Sequence, residues 1–143
     1  MTKDKRIVVG IDGSERSERA LRWAVYLGAK LGARVEVVTA WHYPPSAILP
    51  TEGSWDPDVA GHQMLEETVT RVIGPDAPVA KRFLAAPTAP ALIAESADAE
   101  LLVVGSRGHG EFVGMMLGSV SMHVATHAKC PVLIVREDDP PAH

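Results

Sequence analysis

Residues 101–121 read LLVVGSRGHGEFVGMMLGSVS, and the order of residue types in this stretch decides the fold. Leu101, Leu102, Val103 and Val104 form an unbroken apolar run, the pattern of a strand buried on both faces. The run breaks at Gly105, passes Gly108 and Gly110, and reaches Gly118-Ser119 after the nine residues that follow Gly108. Val120 and Ser121 then open a helical stretch. A strand that runs through a glycine-rich loop into a hydroxyl-bearing helix start is a phosphate-binding arrangement. Glycines permit close backbone approach and positive φ. The first N–H groups of the helix lack intrahelical acceptors and carry the positive end of its dipole. The remainder of the chain then serves as a scaffold for the loop.

C-terminal to this stretch, a helix over residues 119–128 leads to Pro131, a last strand over 132–135 (VLIV) and a polar tail over 137–143. On the other side, Thr88 or Pro90 starts a short helix that runs through Ala97. Residues 79–84 (VAKRFL) form the most polar strand; its Lys81-Arg82 pair suits a sheet edge, where charge discourages stray pairing. Gly74-Pro75 ends a helix opened by Asp56 as N-cap and Pro57 at the first helical position, with Leu65, Val69, Val72 and Ile73 as its buried stripe. The stretch from His42 to Pro57 holds four of the eleven prolines and keeps no period, so it reads as a loop. Residues 35–41 (VEVVTAW) form the second strand. Ahead of it, Ser14 caps a helix to about Leu31 that carries Ala20, Leu21, Ala24, Leu27, Gly28 and Leu31 on one face, with Gly32 as its stop. Residues 7–11 (IVVGI) form the first strand, which runs into Asp12-Gly13-Ser14.

Strands that alternate with helices throughout specify a parallel, doubly wound α/β sheet. One domain over residues 1–143 is expected, with an ordered core of about 5–136, a flexible loop of about 43–57 and no internal repeat. Ligands in such sheets lie beyond the C-terminal strand ends, where the strand order reverses. If the first and fourth strands are neighbours there, the turns at Asp12-Gly13-Ser14 and Gly105 to Gly110 face one crevice.

Composition narrows the function. Apolar residues make up 46% of the 143 and charged residues 22%, a globular balance. The net charge of −4 disfavours nucleic acid and anionic membrane surfaces as main partners. No apolar run approaches the ~18 residues of a membrane span, and residues 1–10 lack the apolar segment of a leader peptide. The lone Cys130 allows no internal disulfide and suits a reducing compartment, so a cytoplasmic protein is expected.

Two large classes of phosphate loop do not fit. A Walker loop needs Lys and Ser or Thr after its second glycine, whereas Gly110 is followed by Glu111 and Phe112. A dinucleotide fingerprint needs G-x-G-x-x-G, whereas Gly105, Gly108 and Gly110 give G-x-x-G-x-G. The chain instead resembles the nucleotide-binding members of the universal stress protein family, which carry G-x-x-G, nine residues, then G-(S/T). The resemblance extends over VVGIDGS at 8–14, LLVVGSRGHG at 101–110, LGSVS at 117–121 and HAKCPVLIV at 127–135.

That resemblance implies an open, Rossmann-like five-stranded parallel sheet in the order 3-2-1-4-5, with helices on both faces. It also implies ATP as ligand. Asp12, with Gly10 before it, would stand near the adenine and ribose, and the backbone of Ala40 would border the adenine. Gly105, Arg107, Gly108, His109 and Gly110 would line the ribose and phosphates. Gly118 would allow close approach, while Ser119, Val120 and Ser121 would offer N–H and hydroxyl groups to the phosphates. Mg²⁺ would bridge phosphate oxygens. A homodimer through the last strand is implied too, and it answers a physical need: Val132, Leu133, Ile134 and Val135 form an uncharged edge that would otherwise invite aggregation.

Several residues keep a second reading. Asp12 also reads as a helix N-cap, and Arg107 as a solvated loop charge. His123 and His127 share a helix face, but no third ligand accompanies them, so no protein-held metal is expected. Cys130 reads as a small core residue. Phe112, Val113, Met115, Met116 and Leu117 would cover the nucleotide, meet a partner or pack on the sheet. An ATP-binding regulatory module is the expected function, with no catalytic residue and not an enzyme. A slow ATP hydrolase using Asp12 or His109 near a water, and a nucleotide-free dimeric scaffold, are the alternatives.

Overall fold

The computed structural model describes residues 4–41, 57–107 and 117–141. Five strands, β1 (Arg6–Gly10), β2 (Arg34–Ala40), β3 (Val79–Leu84), β4 (Leu101–Gly105) and β5 (Val132–Val135), form one sheet in the order β3-β2-β1-β4-β5. Every pairing is parallel. The helices are α1 (Glu15–Leu31), α2 (Pro57–Ile73), α3 (Thr88–Glu95) and α4 (Ser119–His127), with a single 3₁₀ turn at Ser96–Asp98. The expected edge strands are the edges: β3 on one side and β5 on the other.

Side chains along a strand alternate between faces, so a strand covered on both sides must be apolar at every position. Ile7, Val8 and Val9 are fully buried for that reason. Ile7 and Val9 join Val35, Val37 and Val103 in a core with Leu21 of α1 and Leu65 of α2. Val8 joins Val38, Leu102 and Val104 in a second core with Leu92 of α3 and Val124 of α4. Burying each of Leu21, Leu92 and Leu102 stabilises the fold by about 1.5–3 kcal/mol.

Local signals set the ends of α1. Ser14 sits at the N-cap and its Oγ accepts from the Ser17 N–H at 3.3 Å. Gly32 takes the left-handed conformation (φ 65°) at the other end, its N–H directed to the Gly28 carbonyl. Leu31, expected on the buried face, is 43% exposed. The buried stripe through Ala20, Leu21, Ala24 and Gly28 stops one turn earlier, because the chain must leave the sheet to turn at Gly32. Ile11 and Trp41 lie just past the regular strands, though each keeps one pairing hydrogen bond, to Val38 O and Leu84 O respectively, both at 3.0 Å. Ala97 belongs to the 3₁₀ turn and not to α3. The expected N-cap Asp56 and the proline-rich loop before it lie outside the described residues.

One charge is buried within the sheet. Glu36 of β2 is 7% exposed and accepts from Arg6 Nε at 2.7 Å and Arg34 Nη1 at 2.6 Å. Arg82 of β3 stands 3.8 Å from the other Glu36 oxygen and pairs with Glu95, whose backbone carbonyl accepts from Arg6 Nη1 at 3.0 Å. A buried carboxylate is tolerable only when paired and hydrogen-bonded in this way. This cluster lies near the N-terminal strand ends, leaving the C-terminal ends for a ligand.

Candidate functional site

β1 and β4 lie side by side, with Val9 in register with Val103, and the helices after them start on opposite faces of the sheet. This is the reversal point of the strand order, where the two connecting turns diverge and leave a crevice. Gly105 closes one side of it. A Cβ built on Gly105 would stand 2.9 Å from the backbone carbonyl carbon of Arg16, so the end of β4 abuts the first turn of α1. Close approach is therefore what requires glycine at 105. Positive φ is needed instead at Gly13 (84°), in the turn after β1.

That turn is tied by side chains. Asp12 Oδ1 accepts from the Ser14 N–H at 2.9 Å, an Asx turn, and the Asp12 N–H donates to Ser17 Oγ at 3.2 Å. Ser14 is thus the N-cap, and Asp12 is held two residues ahead of it at the cleft rim.

The opposite wall is organised by Ser106, which is 1% exposed. Its N–H donates to Val135 O at 2.8 Å, and its hydroxyl accepts from Arg16 Nη1 at 2.8 Å. Its carbonyl accepts from the Gly118 N–H at 2.6 Å and from the Ser121 hydroxyl at 2.8 Å. Gly118 is the N-cap of α4, and having no side chain it offers no capping hydrogen bond to the helix start. The first turn of α4 consequently meets the cleft without an intervening cap side chain.

The cleft encloses about 290 Å³. Val38, Leu92 and Val104 supply an apolar floor, while Thr88 lines one wall and donates from its hydroxyl to Ala40 O at 3.0 Å. Gly10, Asp12, Ala40, Gly105, Arg107, Gly118, Ser119, Val120 and Ser121 all line this one cleft. Gly108, His109 and Gly110 lie outside the described residues, as do Phe112, Val113, Met115 and Met116. A Cβ on Gly10 would meet Leu92 Cδ1 at 2.8 Å, so a glycine there makes room for the floor. The Ser121 hydroxyl already donates to Ser106 O, and also reaches Gly118 O at 3.0 Å. Its proton therefore serves the wall.

Sequence reading missed Ser106, Thr88 as a wall residue, and the Val38–Leu92–Val104 floor. Ser106 stands inside the quoted GSRG segment, but hydrogen bonds made to carbonyls leave no pattern in a sequence. The floor residues read simply as core.

Two other candidates behave as structural features. His123 and His127 lie with ring centroids 4.8 Å apart, tilted 40° to each other, on an exposed face of α4, and His127 Nδ1 meets His123 O at 3.2 Å. Among the described residues, no group of three or more His, Cys, Asp or Glu side chains converges. Cys130 is half-buried against the α3–α4 core. Burial pushes its thiol pKa up, opposed by the nearby Arg6 charge.

A family model described as "Universal stress protein family" matches residues 4–136, nearly the whole chain. The chain belongs to the universal stress protein family. A universal stress protein of Mycolicibacterium smegmatis is 37% identical over 136 residues, covering 91% of this chain and 45% of the relative. The chain thus spans about half the length of the curated universal stress proteins it matches. A universal stress protein solved in complex with cAMP superposes with a TM-score of 0.69 at 30% identity, covering 96% of this chain and all of that one. The Archaeoglobus fulgidus universal stress protein in complex with dAMP gives 0.65 at 25% identity, covering 94% and 99%. Among the described residues, no helix of this universal stress protein is long and apolar enough to cross a membrane.

Proposed function

We propose that the cleft between β1 and β4 binds an adenine nucleotide, ATP with Mg²⁺, and that binding governs how this universal stress protein associates with partners in the cytoplasm. The observation that carries the reading is the start of α4. Its first turn opens on the cleft behind a residue with no side chain, where N–H groups and the helix dipole favour phosphate. Structural relatives that hold cAMP and dAMP support it.

The lining supports an arrangement for the parts of the ligand. The apolar floor of Val38, Leu92 and Val104 takes the base, with Gly10 and the backbone of Ala40 beside it. The exposed Asp12 carboxylate accepts from ribose hydroxyls. The backbone of Ser119, Val120 and Ser121 meets the phosphates, with Arg107 as a cation beside them and Gly105 and Gly118 admitting close approach. Gly108, His109 and Gly110, outside the described residues, would contact the sugar and phosphates. Mg²⁺ is held by phosphate oxygens, with no protein ligand assigned. No residue is assigned a catalytic role. Val132, Leu133 and Ile134 are only half-buried on the outer strand β5, which suits pairing with a second copy.

The test is denaturation of the purified protein with mass spectrometry of what is released, followed by titration calorimetry with ATP, ADP, AMP and cAMP. Intact ATP, and a Gly118→Val chain that folds normally but binds at least about tenfold more weakly, or about 1.4 kcal/mol, are expected. Multiple turnovers to ADP would make the protein a hydrolase, and no bound nucleotide would leave a dimeric scaffold. Sedimentation tests the dimer: Ile134→Lys should yield monomer, and a parent chain that is monomeric at every concentration excludes it.

A further inference from the structure

A second linked set of contacts runs along α1, from the wall of the cleft to the segment after β5. Arg16, Arg19 and Arg22 recur every three residues and Trp23 stands four after Arg19, which places them along one side of the helix. The acidic run Glu137-Asp138-Asp139, just past β5, lies along that side. Arg16 Nη2 meets Glu137 Oε1 at 3.2 Å. Arg22 Nη1 and Arg19 Nε meet the same Asp139 oxygen at 3.2 and 3.6 Å. The Trp23 indole N–H donates to Asp138 O at 2.8 Å.

We propose that residues 137–139 form an electrostatic latch on α1, and that Arg16 carries the state of the latch to Ser106, the anchor of the glycine loop. The carboxylates are largely in water, with Glu137 77% and Asp139 58% exposed. Each ion pair is therefore weak and screened by salt, which makes the latch releasable. Arg16 differs from its neighbours. Its side chain is only 18% exposed, and one guanidinium spans both partners: Nη2 on Glu137 and Nη1 on the Ser106 hydroxyl. Ser106 in turn holds the Gly118 N–H and the Ser121 hydroxyl. With the latch closed the guanidinium is pinned between tail and loop anchor. With it open, Arg16 loses one of its two partners and the anchor its reinforcement. The backbone bond from Ser106 N–H to Val135 O keeps the tail root beside the anchor in both states.

The test uses the full chain without nucleotide, so it stands apart from the ligand reading. NMR follows the Trp23 indole N–H, assigned with Trp23→Phe, and hydrogen exchange at the Gly118 amide. Raising NaCl from about 20 mM to about 0.5 M should move the parent's indole signal toward that of a Glu137→Gln/Asp139→Asn double variant, which itself should be insensitive to salt. In that variant Gly118 should exchange about threefold faster, the effect of losing one surface ion pair. Arg16→Lys, which keeps the charge but cannot bridge both partners, should raise Gly118 exchange while leaving the Trp23 signal near the parent's. An indole signal unmoved by neutralising the tail overturns the latch. Gly118 exchange unchanged in both variants overturns the transmission through Arg16.

Discussion

The Ser121 hydroxyl donates to the Ser106 carbonyl at 2.8 Å, and the Gly118 N–H reaches the same oxygen at 2.6 Å. Both ends of the glycine loop are therefore fastened to one buried residue. Ser121→Ala removes that donor and leaves the Ser106 carbonyl with the Gly118 N–H alone. A loss of about 1 kcal/mol in urea unfolding is expected. A variant as stable as the parent would show that the wall does not depend on this bond.

Two glycines at the cleft should respond differently to the same methyl group. A Cβ at Gly105 meets the Arg16 backbone at 2.9 Å, whereas one at Gly10 meets the mobile end of Leu92 at 2.8 Å. A helix backbone yields far less readily than a leucine rotamer. Gly105→Ala should cost about 2–3 kcal/mol and Gly10→Ala nearer 1 kcal/mol, by denaturant titration of both chains. The reverse ranking would place the tighter contact under the cleft floor.

The buried Glu36 should be far more sensitive than its sequence suggests. Glu36→Gln keeps the shape but leaves Arg6, 13% exposed, with only the Glu95 carboxylate, 3.8 Å away, as counter-charge. Removing one partner of a buried pair strands the other, and a loss of about 2 kcal/mol or more is expected, discounted for the half-exposed Arg34 and Arg82. Thermal melts at low and high salt check this, and the loss should persist at high salt. A neutral effect would mean that the cluster contributes little beyond solvation.

Cys130 gives a pH prediction. Burial raises its pKa, so the folded chain holds the thiol proton more tightly than the unfolded chain. Stability is intact below the unfolded value of about 8.5 and falls as pH rises from there through the folded value. Only the thiolate is nucleophilic. Alkylation by iodoacetamide should therefore follow a pH profile displaced upward from that of the urea-unfolded chain. Coincident profiles would contradict the shift.

The features legible in the sequence are those that use local chemistry or uniform burial. Ile7, Val8 and Val9 announce a covered strand because both faces need apolar residues, and Ser14 and Gly32 mark the ends of α1 through cap geometry. Gly105 marks the cleft because the Arg16 backbone excludes a side chain there. What escaped depends on partners far apart in the chain. Glu36 sits in VEVVT like an outward-facing charge, and only the strand order brings Arg6 and Arg82 to it. Arg16 reads as one charge of an amphipathic helix, yet its contacts are Ser106 and Glu137, on later segments of the chain. Leu31 followed the helical period but lay beyond the sheet that would have covered it.

Because the Ser106 carbonyl holds both the Gly118 N–H and the Ser121 hydroxyl, the two described ends of the glycine loop are fixed to each other whatever sequence joins them. Closing a longer loop costs only about 0.6 kcal/mol for each doubling of length. The scaffold bears none of that change in its own packing, since the two ends stay on the same oxygen. Substitutions and insertions between those ends therefore leave the packing of the sheet unchanged.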